Sequence, residues 1–96
     1  MITHIVFFKL KDSSEEQIRK AAGVLAGLKG KVAALRGLEV GVDVVRSVRS
    51  YDIALTARFD SLEGLESYRA HPEHVKAANY LKEVSEAIAA VDYESD

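Results

Sequence analysis

The stretch from Ile2 to Leu10 (ITHIVFFKL) limits the possible folds more than any other part of the chain. It is dense in β-branched and aromatic residues and too short for a helix, so it reads as a strand. Alternate side chains of a strand point to opposite faces. One face would carry Ile2, His4, Val6 and Phe8, and the other Thr3, Ile5, Phe7 and Lys9. Both faces are therefore rich in large apolar groups. A sheet with one wet face alternates apolar with polar, so here each side needs a cover.

The rest of the chain supplies one of those covers. Ser13 and Glu16 have the spacing of a capping box, and after them Ile18, Ala21, Ala22, Leu25 and Leu28 recur at helical intervals. The spacing predicts a helix over 14–28 and a looser turn to Leu35, closed by Gly37. Leu38 to Val44 alternates strictly, as a half-buried strand does, and Tyr51 to Phe59 reads as a third strand joined to it by a turn. Arg46 and Arg49 flank that turn and are expected in solvent.

Asp60 or Ser61 then opens a short helix bearing Leu62, Leu65 and Tyr68. Pro72 cannot continue that helix but suits the first position of a new one. Val75, Ala78, Leu81, Val84 and Ile88 form its stripe, and Ala89 to Tyr93 reads as a closing strand.

The resulting order is β-α-β-β-α-β, with the second helical element in two pieces. It predicts the ferredoxin-like α+β arrangement, a four-stranded sheet with helices on one face. The other face would be bare, although Ile5, Phe7 and either Ala54 or Leu55 point to it. An apolar sheet face of that size is not tolerated by a monomer. The expectation is a homodimer in which a second copy covers it.

Composition excludes several alternatives. The chain has 96 residues, which is one domain, 1–96, with a single core. A net charge of -2 argues against nucleic acid as the main partner. With no cysteine there is neither a disulfide framework nor a thiolate ligand or nucleophile. No apolar run approaches bilayer length, and Met1-Ile2-Thr3-His4-Ile5 lacks the basic start of a signal peptide. No membrane partner is expected, and the expected location is the cytoplasm.

Chemistry concentrates in Tyr68-Arg69-Ala70-His71-Pro72-Glu73-His74, which holds two of the three histidines and the only proline. A helix beginning at Pro72 places His74 in its first turn, where the backbone dipole disfavours imidazolium. A neutral His74 could accept a proton while the Tyr68 hydroxyl stabilises a nearby oxyanion. The structural alternative is that His74 caps the helix and Tyr68 packs with its hydroxyl bonded locally. His71, just before the proline, either caps the helix or contacts a ligand. His4 is either a satisfied core histidine or, on the helix-covered face, part of the same cavity as His74. The histidine spacing makes a poor metal site, and no metal or cofactor is expected. No phosphate loop, nucleophile elbow or dinucleotide fingerprint is present.

The chain also resembles the stress-responsive A/B barrel (Dabb) family over nearly its whole length. The likeness rests on His4-Ile5-Val6-Phe7-Phe8-Lys9-Leu10-Lys11, Gly41 through Ser50-Tyr51-Asp52, Arg58-Phe59-Asp60-Ser61, Tyr68 with His71-Pro72-Glu73-His74-Val75, and Val91-Asp92-Tyr93. The resemblance implies a dimer whose two sheets close into a shared α/β barrel. Many members have no established reaction. In a plant polyketide cyclase of the family, the catalytic tyrosine and histidine match Tyr68 and His74. A further pocket histidine matches His4, and a third matches Ile53 and is missing. The likeness thus implies Tyr68 and His74 as catalytic residues, with His4 in their pocket. The expected function is binding of a small apolar carbonyl ligand in a cavity walled by His4, Tyr68, His71 and His74, the alternative being a cofactor-independent cyclase or lyase.

Overall fold

The doubly apolar stretch becomes β1 (Ile2–Leu10), an inner strand hydrogen-bonded along both edges. The computed structural model describes residues 1–95. After β1 come α1 (Glu15–Ala26), β2 (Gly37–Val42), β3 (Ile53–Phe59), α2 (Leu62–Ala70), α3 (Pro72–Val84) and β4 (Ser85–Glu94). The strands lie in the order β2-β3-β1-β4, and every pairing is antiparallel. This is the ferredoxin-like sheet expected from the element order.

Register decides which side each residue serves. Val6 pairs with Leu55 and Ala90, so these three share a face. That face is the helix side: Val6, Phe8, Leu55 and Phe59 are buried there with Ile18, Leu25, Leu65 and Leu81 from the helices. Leu28 and Val32, in the turns after α1, belong to the same core. Of the two residues that could have faced the bare side, Leu55 lies under the helices, and Ala54 faces the open side. That open side carries Ile5, Phe7, Val91 and Tyr93, the last three exposed. Phe7 leans on Tyr51, with ring centroids 5.9 Å apart.

Three local expectations need correction. Ser14, not Ser13, caps α1, accepting the Gln17 N–H at 3.3 Å. Both serines have an acceptable partner three residues on, but Asp12 holds the Ser14 N–H at 3.0 Å and so fixes where the helix begins. The last helix stops at Val84, four residues before Ile88. Ile88 fits the helical stripe by spacing alone; instead it pairs with Phe8, because the long inner strand needs a partner along its whole edge. A bulge between Lys9 and Leu10 absorbs the abrupt passage from α3 into β4.

Arg46 is the third correction. It is not simply solvated, since its guanidinium bonds the buried Asp52 carboxylate at 2.8 Å. Its own φ of 57° is in the left-handed region, held there by its N–H bonded to Asp43. The valines of this connection, Val44, Val45 and Val48, are left exposed.

Candidate functional site

The break between α2 and α3 creates the site. The residue before a proline is driven to extended backbone, and His71 has ψ 133°. Its Nδ1 accepts the Glu73 N–H at 3.1 Å, capping α3, while its own N–H closes α2 on the Tyr68 carbonyl. In one continuous helix Tyr68 and His74 would point about 120° apart and be separated by about 9 Å along the axis. The break instead brings their rings together, tilted by 50°, at a centroid distance of 4.3 Å.

These two rings face a cavity of about 310 Å³ between sheet and helices. Its sheet side is His4, Val6, Phe8 and Leu55; Leu25, Leu28, Ala77 and Leu81 complete most of an apolar lining. Tyr68 also contacts Phe59 at 5.0 Å and the edge of His4 at 6.1 Å between centroids. Thus Tyr68, His74 and His4 come together. His71 does not line this cavity, contrary to the expectation that it shares the wall; capping α3 uses its ring nitrogen instead.

Hydrogen bonding assigns the nitrogens. His74 Nδ1 lies 3.2 Å from the Arg69 carbonyl oxygen. A carbonyl only accepts, so Nδ1 carries the hydrogen and Nε2 of the neutral ring keeps its lone pair. Burial, more than any other influence, holds the His74 pKa below its ordinary value. The hydrogen bond to Arg69 opposes this, while the positive charges of Arg69 and Lys82 add to it. The sequence led to a neutral His74 through the helix dipole; the main cause is desolvation.

Burial also pushes the Tyr68 hydroxyl up to about 12, so at neutral pH it remains a donor. Among the described residues that hydroxyl has no hydrogen-bond partner, and it is not among the sealed polar atoms.

The residue that sequence reasoning missed is Asp92. Register pairs it with His4 on the helix side of the sheet, and the His4 Nδ1–H donates to its carboxylate. The other Asp92 oxygen accepts from Arg69 at 3.4 Å. Only the β1–β4 register could have revealed this contact from sequence, because the two residues are 88 positions apart. Among the described residues no group of three or more histidines or carboxylates is arranged to hold a metal ion. Among them, too, no helix is long and apolar enough to cross a membrane.

Residues 2–95 match the family described as Stress responsive A/B Barrel Domain. The chain belongs to this family. Over 100 residues it is 29% identical to a stress-response A/B barrel domain-containing protein of Arabidopsis thaliana. The match takes in the whole of this chain but only 37% of the length of that relative.

Among solved structures, a dimeric protein of unknown function and ferredoxin-like fold from Bacteroides fragilis is 35% identical. That comparison covers 98% of this chain and 95% of the other, with a TM-score of 0.82. A dimeric ferredoxin-like protein from Thermobifida fusca, also of unknown function, is 25% identical over 98% of this chain and 90% of its own, with a TM-score of 0.87. A hydroxynitrile lyase from Passiflora edulis has a TM-score of 0.85 over 99% of this chain and 93% of its own, at 19% identity. At that identity the likeness is one of fold.

Proposed function

We propose that this A/B barrel chain works as a homodimer joined through the open sheet face, and that each copy binds a small, largely apolar carbonyl compound between its sheet and helices. The dimer reading is supported by exposed Phe7, Val91 and Tyr93 on one face and by the dimeric relatives. The binding reading is carried by one observation: a Tyr68 hydroxyl with no partner among the described residues, beside the acceptor-bearing His74 ring in a largely apolar cavity. A carbonyl oxygen accepts from Tyr68, and the alkyl remainder covers the apolar floor. The proposed setting is the cytoplasm, in keeping with a cysteine-free chain.

The test is titration of the protein with nonan-2-one, followed by NMR of the Tyr68 and His74 rings. Saturable shifts at both rings are expected, with Tyr68→Phe weakening binding roughly fivefold, the worth of one neutral hydrogen bond. Absence of saturable shifts at these rings would remove the reading.

The state of His74 favours a second reading, a cofactor-independent cyclase or lyase. Its Nε2 would take a proton from the carbon beside the carbonyl. The electron pair released forms the enolate, and Tyr68 donates a hydrogen bond to the enolate oxygen. His4, held by Asp92, would orient the substrate. Protein-dependent deuterium uptake at that carbon, lost in His74→Gln, is the expected sign of this chemistry. Binding without uptake would leave a binding protein.

A further inference from the structure

The cavity lining is graded from an apolar floor to a charged mouth. Among its buried residues Val6, Phe8, Leu25, Leu55 and Leu81 are apolar. Its exposed residues are Arg69, Lys82 and Ile88, which identifies them as the opening. Two of those three are cations, and no carboxylate belongs to the lining.

Arg69 is shared with Glu66 and Asp92, each at 3.4 Å, contacts that engage only part of a guanidinium with five N–H donors. Lys82 forms no ion pair among the described residues, although surface partners occupy Lys31 and Lys76 on the same helical layer. Both mouth cations are close enough to disfavour protonation of His74. A simple ketone uses the floor and the Tyr68 hydroxyl but offers nothing to these two charges.

Resting on the cavity being the ligand site, we propose that its ligand is an amphipathic oxo acid. The alkyl chain covers the floor, the carbonyl meets Tyr68 and His74, and a carboxylate lies at the mouth against Lys82 and Arg69. A chain with an anionic head is thereby selected over an uncharged molecule of the same shape.

The test compares 4-oxononanoic acid with its methyl ester, binding to the full chain being followed by NMR at the Tyr68 and His74 rings. The acid is expected to bind roughly fivefold more tightly than the ester at low salt, as one half-exposed ion pair allows. The preference should fall below about twofold in Lys82→Met, and likewise near 1 M salt, where the screening length is about 3 Å. Arg19→Gln is the control for net charge, since Arg19 is exposed and paired with Glu15 outside the cavity; it should leave the preference intact. Equal affinities, or a tighter ester, would overturn the oxo-acid inference while leaving the cavity as a binding site. A preference that survives both Lys82→Met and Arg69→Met would overturn the role given to the cations. If neither compound shifts the two rings, the inference falls together with the binding reading.

Discussion

Replacing Asp52 by alanine removes the anchor of the β2–β3 connection. Asp52 is 1% exposed, and its carboxylate has two partners, the Leu10 N–H and the Arg46 guanidinium, both at 2.8 Å. Alanine strands the Leu10 donor in the interior, which costs about 1–3 kcal/mol. The Arg46 contribution is smaller, about 0.2–1 kcal/mol, because that side chain is partly exposed and can return to water. Together these give a loss of about 1–4 kcal/mol from the ~5–15 kcal/mol typical of a domain. For a chain of this size the melting temperature should drop by roughly 5–30 °C.

Urea unfolding at fixed protein concentration measures the loss, concentration being held because self-association would shift the midpoint. Arg46→Met completes a double-mutant cycle. Its own cost should be clearly the smaller of the two. A loss below about 0.5 kcal/mol for Asp52→Ala, the level of an ordinary surface change, would refute the anchoring argument. So would equal costs for the two single changes, since the stranded Leu10 donor is what separates them.

Two further outcomes follow from the site and the sheet. Unfolded His74 titrates near about 6.5, and burial holds it lower in the fold. Between those values the unfolded chain binds more protons, so this contribution is fully present above about pH 6.5 and is lost as pH falls toward the folded value. His74→Gln should therefore flatten the acid-side fall in urea-unfolding stability, and an unchanged slope would contradict the depressed titration. Phe7→Glu sets a charge among Ile5, Val91 and Tyr93 on the open face. Sedimentation velocity should then show a folded species of half the parent mass; a persisting dimer would place the contact elsewhere.

The sequence was most legible where chemistry and periodicity were local. The two-faced β1 and the restart at Pro72 both depend on residues near one another in the chain, whereas the choice of Ser61 over Asp60 as the cap of α2 was left open. The Tyr68–His74 encounter was readable for the same reason, because the proline both breaks the helix and sets where the next begins. What depended on register was not readable. Leu55 and Ala54 could be assigned to faces only once β3 was aligned to β1, and Asp92 became visible only through its pairing with His4. Nothing local announces that Leu10 and Arg46 converge on Asp52. Ile88 misled because a spacing of four residues satisfies a helix and, by chance, an even position in a strand.

One consequence of β4 concerns what insertions and deletions this chain can absorb. Its odd-numbered residues Val91 and Tyr93 face outward from the sheet, while Ile88 and Asp92 turn toward the helices, and the strand starts directly after α3. Adding or removing one residue near Ser85 would exchange the two sets, carrying an acid to the greasy exterior and leaving His4 opposite a valine in place of its carboxylate partner. Both surfaces would be spoiled by a single slip. Length variation can therefore accumulate in the valine-bearing connection before Asp52, but hardly at all at the junction of α3 and β4.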